Sequence, residues 1–350
     1  MQNIMSVRES LEQGSLDQRI KEIYVDEQRV PYNRERYIRA IDRFTELFPS
    51  EKEIEIYSAP GRSEVCGNHT DHQNGMVLAT SINLDAIAIV AKAEEPVIRL
   101  VSGDFPMEEV DVADLSMKEE EQSTTTALIR GVAAGMKERG HQVGGFTAYI
   151  TSDVLMGAGM SSSAAFESLI GTILSGLYND MKVSSIEIAQ IGQYAENIYF
   201  GKPCGLMDQM ACSVGGMIFI DFKEKEHPEV RQVHTDFEKA GLSLCIVDTK
   251  GSHADLTPDY AAVPAEMNQV AQALGREHLR EVPRETFFKE LPKLWKETSG
   301  RAVLRAIHFY EEEERVLRGV RSLEESDYPG FLSVIKASGD SSAKYLQNIY

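Results

Sequence analysis

From Phe146 to Leu177 the chain runs from an alternating apolar segment (Phe146 to Thr151) through a Gly-rich loop, Met156-Gly157-Ala158-Gly159, into its clearest helical pattern. Phe166, Leu169, Ile170, Ile173, Leu174 and Leu177 keep three- and four-residue spacing, and Ser161-Ser162-Ser163 stands where N-capping side chains belong. A strand, a turn suited to glycine and a helix N-terminus must therefore meet at one point. The first N–H groups of such a helix and the positive end of its dipole favour an anion, phosphate above all. A serine in the first turn can also reach a Mg2+ that bridges two phosphates. The loop is not a Walker A sequence, because no G-K-[ST] closes it, and it lacks the third glycine of a Rossmann fingerprint. A capped helix after a flexible loop explains G-x-G equally well, so this segment alone leaves the choice open.

Around it, Tyr37, Ile38, Ile41, Phe44 and Leu47 mark an apolar face in a helical, surface-exposed stretch over residues 1 to about 50. Strand patterns follow at Ile54 to Tyr57, Val77 to Ala91 and Val97 to Val101, then a helix at Ala127 to Lys137. Past the Gly-rich loop, a helix is expected over Ser185 to Phe200, with strands at Met217 to Phe222 and Leu242 to Val247. Beyond Tyr260 the chain reads mostly as helix, including Arg301 to Leu317, whose Glu311-Glu312-Glu313-Glu314-Arg315 run reads as a solvated face. Strands with interspersed helices first and a helix-rich second half predict an α+β protein. A length of 350 residues exceeds what one core usually holds, so two lobes are expected.

Charge narrows the partners. The chain has 36 basic and 55 acidic side chains, a formal charge of −19, which argues against nucleic acid but not against a small anion held in a local pocket. No apolar run approaches the roughly 20 residues that span a bilayer, and the N-terminus has no signal-peptide pattern, so no membrane partner is expected. Four cysteines (Cys66, Cys204, Cys212, Cys245) without a C-x-x-C pair fit a reduced, cytoplasmic setting.

Two further segments carry dense polar groups. Gly61-Arg62 precedes Gly67-Asn68-His69-Thr70-Asp71-His72-Gln73-Asn74-Gly75, between two strand patterns. In an extended chain His69 and Asp71 share a face and His72 points away, so a metal is one reading and an Asx turn with a satisfied histidine the other. Gly201-Lys202-Pro203-Cys204-Gly205-Leu206-Met207-Asp208-Gln209 follows a helix carrying Glu196. A loop aspartate beside Gly and Pro is, by itself, usually a turn residue.

Taken together, the segments have a known order. Ala59-Pro60-Gly61-Arg62 with Gly67-x-His69-Thr70-Asp71 and Gly75-x-Val77-Leu78 resembles the signature of galactokinases. Met156 to Ala165 resembles the phosphate loop of the wider superfamily of galactose, homoserine, mevalonate and phosphomevalonate kinases. Cys204-Gly205-Leu206-Met207-Asp208-Gln209 resembles the galactokinase loop that holds the catalytic aspartate, and Ser252-His253 with the later Tyr260 is a softer match. The resemblance covers about Arg39 to the end. It implies a two-lobed α+β small-molecule kinase fold with the active site in the inter-lobe cleft. An N-terminal helical extension (1–38), an N-terminal lobe (39–222) and a C-terminal lobe (223–350) are expected. It further implies ATP-dependent phosphorylation of a sugar at its anomeric C1 hydroxyl, galactose first, with ATP and Mg2+ as cofactors. Carried residue by residue, Asp208 would orient or deprotonate the hydroxyl, with Arg62 beside it. Asn68, His69, Asp71, Gly205 and Tyr260 would bind the sugar. Gly157, Ala158, Gly159, Met160, Ser161, Ser162 and Ser163 would cradle the triphosphate, and Ser163 and Glu196 would hold Mg2+.

Departures from the family pattern shape what is expected of the substrate. Where galactokinases read Gly-Glu-His-Thr-Asp-Tyr, this chain reads Gly67-Asn68-His69-Thr70-Asp71-His72. An uncharged Asn68 would tolerate a carboxylate at C6, and the stretch also resembles plant galacturonate kinases, so galacturonate is an alternative substrate. A galactokinase-like sugar sensor without turnover is a third reading, opposed by the presence of Asp208, Arg62 and Glu196. The superfamily's third, Gly-rich motif does not occur before Tyr350, so the C-terminal lobe is expected to be incomplete.

Overall fold

The computed structural model describes residues 1–155, 157, 159–224, 226–247 and 257–349. The chain forms two units, residues 1–62 with 81–214 and residues 63–80 with 215–350. Ser252 and His253 lie outside the described residues.

Through the first unit the elements run β1 (Gln2–Asn3), α1 (Ile4–Glu12), α2 (Asp17–Tyr24), α3 (Val30–Leu47), β2 (Glu53–Cys66), β3 (Met76–Lys92), β4 (Val97–Ser102) and β5 (Glu108–Asp111), with residues 63–66 of β2 and 76–80 of β3 belonging to the second unit. They continue through α4 (Thr125–Glu138), β6 (Phe146–Ser152), α5 (Ser162–Asn179), α6 (Ser185–Tyr194) and α7 (Met207–Val214). The strand order is β1-β2-β3-β6-β4-β5, with β6 antiparallel to β3 and parallel to β4.

Ala86 to Ala91 in β3 read as one apolar run because both faces of the strand are covered. Ala86, Ala88 and Val90 join a core with Phe146, Ala148 and Ile150 of β6 and the inner faces of α4, α5 and α6. Ile87, Ile89 and Ala91 face the other way, against Ile4, Leu11, Tyr24, Tyr37, Ile41 and Phe44 of α1 to α3. Helices, sheet and helices thus make three layers. The first 50 residues are helical as expected, but they are not a surface appendage. Ile4, Val7 and Leu11 recur at three- and four-residue spacing, and burying each such side chain contributes about 1.5–3 kcal/mol.

In the second unit, Met76 to Thr80 pair with β7 (Met217–Asp221), which pairs with β8 (Glu229–Gln232). Among the described residues, four α-helices follow: α8 (Thr257–Ala273), α9 (Arg284–Glu297), α10 (Gly300–Glu324) and α11 (Tyr328–Ser341). The N-terminal half of α10 packs Val303, Ala306 and Phe309 against α8 and α9. Its C-terminal half packs Val316, Val320 and Leu323 against the strands and α11.

Two expectations need correction here. Leu242 to Val247 form no strand; Leu244, Ile246 and Val247 are exposed, and no described strand supplies the hydrogen-bonding edge that alternation alone cannot provide. The Glu311–Arg315 run is not a solvated face either. Glu312 is 0% and Glu313 9% exposed, because both lie on the side of α10 that continues the Phe309–Val316 stripe.

Candidate active site

Asp208 sits in the first turn of α7, behind the loop that contains Gly205. Arg62, at the end of the first unit's share of β2, grips it with two parallel bonds: Nε to Oδ1 at 2.7 Å and Nη2 to Oδ2 at 2.8 Å. The remaining Arg62 nitrogen, Nη1, donates to the Gly159 carbonyl at 2.6 Å, and the Arg62 backbone N–H donates to the Met160 carbonyl at 3.2 Å. Arg62 therefore ties the Gly-rich loop to the aspartate. Ser161 adds a second tie by donating its hydroxyl to Asp208.

That bond corrects the reading of the serines. Ser161 occupies the N-cap position of α5, yet no side chain caps the helix. Its backbone is left-handed (φ 54°), a conformation that costs a non-glycine residue about 1–3 kcal/mol and persists when surroundings dictate it. Here the surroundings are Asp208. Gly157 and Gly159 are also left-handed, with open space where a Cβ would stand. Among the described residues no side chain caps the initial N–H groups of α5, the arrangement that suits a phosphate. Met160 is buried, and Ser162 and Ser163 open the helix. Met156 and Ala158 lie outside the described residues.

Burial by itself would raise the Asp208 carboxyl. The Arg62 charge and hydrogen bonds, the Ser161 hydroxyl and the Lys202 charge outweigh it, holding the group below its ordinary value of 3.8. The sign follows: the ion pair's contribution is complete above 3.8 and is lost as pH falls through the depressed value. Arg62→Gln should let burial dominate and move the acid limb of the kcat/KM profile to higher pH; a limb at the wild-type position would refute this account of the carboxylate.

Glu196 lies where α6 widens into a single π-type turn, Ala195–Phe200, and its side chain is buried. The Ser163 hydroxyl is 3.4 Å from Glu196 Oε1, so the structure does bring these two together. Lys202 Nζ stands 3.0 Å from the same oxygen. The Gln209 amide donates both to Glu196 at 2.9 Å and to Glu167 at 3.1 Å. Burial first, and the Glu196 charge second, push Glu167 well above the usual carboxylate range. Two hard oxygen donors, one of them a buried carboxylate, fit a Mg2+ that draws its other ligands from phosphate and water.

In the second unit, residues 67–75 form tight turns rather than an extended strand, which reverses the expectation for His72. The His69 and His72 rings stack at 5.7 Å, the His69 ring lies 5.1 Å from Tyr260, and the Tyr260 hydroxyl is 3.4 Å from His72 Nε2. Asp71 Oδ1 accepts the His72 backbone N–H at 2.9 Å. Burial, followed by the charges of His72, His308 and Arg305, lowers His69 to about 3, so its ring is neutral. Gly67 (φ 102°) admits no side chain, since a Cβ would stand 2.7 Å from the Met76 carbonyl oxygen. The Asn68 amide donates to Ser342 Oγ at 2.9 Å. Among the described residues no three His, Cys, Asp or Glu side chains gather as a metal cluster.

Lys202, Glu167, His308 and the buried acids of α10 escaped sequence reasoning. A signal existed for the acids: Glu167 interrupts the apolar face of α5, and Glu312 and Glu313 interrupt that of α10 at helical spacing.

The comparisons follow the same lines. Residues 42–92 match the galactokinase galactose-binding signature, and residues 127–216 match the GHMP kinases N terminal domain. The chain is 33% identical over 289 residues to a galactokinase of Streptomyces coelicolor, covering 82% of this chain and 73% of that protein. It is 32% identical over 307 residues to one of Actinobacillus pleuropneumoniae serotype 5b, covering 86% and 77%. It thus spans about three quarters of the length of these relatives. A crystal structure of Lactococcus lactis galactokinase complexed with galactose superposes with a TM-score of 0.71 at 23% identity, over 87% of this chain and 78% of that one, which shows a shared fold. A Streptococcus pneumoniae phosphomevalonate kinase has the same fold at a TM-score of 0.54 and 12% identity, over 85% and 81%. With the signature, the phosphate-loop domain and the fold all in register along one chain, this protein belongs to the galactokinase family of the GHMP kinases.

Proposed function

We propose that the chain transfers the terminal phosphoryl group of ATP to the C1 hydroxyl of galactose, giving galactose 1-phosphate. Its family makes it a phosphotransferase with an alcohol acceptor that uses ATP. The observation that carries the reading furthest is the Arg62–Asp208–Ser161 cluster at the head of α5, where an ionised carboxylate is tied to the phosphate loop.

Phosphoryl transfer proceeds through a loose transition state, so little base strength is needed early and positioning with charge neutralisation does most of the catalysis. A carboxylate held below the ordinary range suits that demand. Asp208 orients the C1 hydroxyl and accepts its proton late, while Arg62 keeps the carboxylate ionised and offsets negative charge beside it. Gly157 to Ser163 hold the phosphates through backbone N–H groups, which allows a protein with a net charge of −19 to bind ATP locally. Ser163 and Glu196 would hold Mg2+, which supplies neutralisation of the phosphate oxygens when bound. Asn68, His69, Asp71, Gly205 and Tyr260 bind the sugar.

A neutral His69 favours a neutral sugar over a uronate, and Arg305, whose charge helps depress His69, is paired with Glu266 at 3.1 Å. Coupled ADP release with galactose, galacturonate and other free sugars tests the assignment. Galactose should give the highest kcat/KM; galacturonate turned over faster would replace it, and sugar binding without turnover would make the chain a sensor.

A further inference from the structure

The loop 67–76 makes hydrogen bonds of its own, among them the Thr70 N–H to the Gly67 carbonyl at 3.0 Å and the Thr70 hydroxyl to the Met76 carbonyl at 2.6 Å, and it is held from outside as well. Gly67, His69 and Asn74 have positive φ, at 102°, 62° and 57°; glycine and asparagine adopt this readily, whereas at His69 it persists where surrounding contacts over-determine it. The Gln73 side chain is held by Asn268 of α8 at 2.6 Å and by the Leu279 N–H at 3.0 Å, and α10 holds the ends of the loop. The Gly67 N–H donates to Glu312 Oε1 at 3.0 Å, and the Met76 N–H donates to Glu313 Oε1 at 2.5 Å, so two adjacent acids pin the two ends of the loop. Between them, the Asn68 carbonyl accepts from His308 Nε2 at 2.8 Å.

The hydrogens on this path follow from the carbonyl, which can accept and not donate. His308 therefore carries its proton on Nε2, in keeping with burial holding the ring neutral. Its Nδ1 takes the Ser341 hydroxyl hydrogen at 2.9 Å, and Ser341 Oγ accepts from Arg315 Nη2 at 2.7 Å. Arg315 Nε returns to Glu312 Oε2 at 2.6 Å, closing a circuit on the acid that holds Gly67. His308 and Glu312 are fully buried, so water does not substitute for these bonds.

The Asn68 carbonyl belongs to the same peptide plane as the His69 N–H, and the orientation of that plane sets the φ of His69. We propose that Arg315, Ser341 and His308 form a positioning relay that fixes the Asn68–His69 peptide, and through it the His69 ring against Tyr260, so that α10 and α11 tune sugar affinity without touching sugar. The proposal rests on the reading of this loop as the sugar-binding segment.

Steady-state kinetics on the full chain separate the possibilities. His308→Leu removes the donor and should raise the galactose KM about tenfold, the scale of one buried hydrogen bond, with the ATP KM and kcat changed less than about twofold. His308→Gln, whose amide can donate to the same carbonyl, should restore most of the loss, and Ser341→Ala should shift the galactose KM in the same direction. An unchanged galactose KM in His308→Leu, equal rises in both KM values, or no rescue by glutamine would overturn the relay. If His308→Leu does not fold, Ser341→Ala decides by the same criteria. Asp71→Ala serves as the control: a wild-type galactose KM there would remove the sugar-loop reading itself, whereas a large rise beside an unaffected His308→Leu removes the relay alone.

Discussion

Asp208→Asn is expected to lower kcat by roughly 1,000-fold while sugar affinity changes little. Asparagine keeps the size of the side chain but loses the charge that Arg62 and Ser161 address. It also sets amide hydrogens against donors that now meet a carboxylate. Proton acceptance and hydroxyl orientation fail together, whereas His69, Asp71 and Tyr260, which bind the sugar in the proposed function, are unaltered. ADP release measures the first effect and calorimetric titration with galactose the second. Turnover within tenfold of wild type would show that Asp208 does not orient the reacting hydroxyl.

The largest expected loss of stability lies elsewhere in the first unit, at Asp85. Its carboxylate accepts Arg36 Nη1 at 2.5 Å, the Tyr24 hydroxyl at 2.8 Å and the Ser58 hydroxyl, and both charged side chains are 4% exposed. Arg36 Nη2 also reaches the carbonyls of Asp85 and Thr151, at 2.8 and 3.1 Å. This cluster joins α2 and α3 to β2, β3 and β6. Asp85→Ala leaves a buried guanidinium without its main counter-ion and should cost about 3–5 kcal/mol, read as a lower urea midpoint. The double variant Arg36→Met with Asp85→Leu should recover most of that loss, because both desolvated charges disappear. A double variant as unstable as the single one would show that the buried charge is not the cause.

Much of the local structure was legible because apolar periodicity is a short-range property. Phe166 to Leu177 read as one buried face of a helix, and Val77 to Ala91 as a strand. The same logic misled where periodicity had no partner, as at Leu242 to Val247. It misled again where charge was taken for exposure, as at Glu312 and Glu313, since a carboxylate enters a core when backbone N–H groups and arginines meet it there. The three motifs named the candidate residues, yet their spacing could not show that Ser161 abandons helix capping for Asp208.

The sequence by itself determined the order of strand, Gly-rich loop and helix, the family, and the residue types that phosphoryl transfer needs. Tertiary structure alone decided which charge meets which. Arg62 and Asp208 are 146 positions apart, and His308 reaches the Asn68 carbonyl across 240. Helix and strand preferences act over a few residues, whereas a hydrogen bond depends on distance in space and on the loss of competing water, and both exist only once the layers have packed.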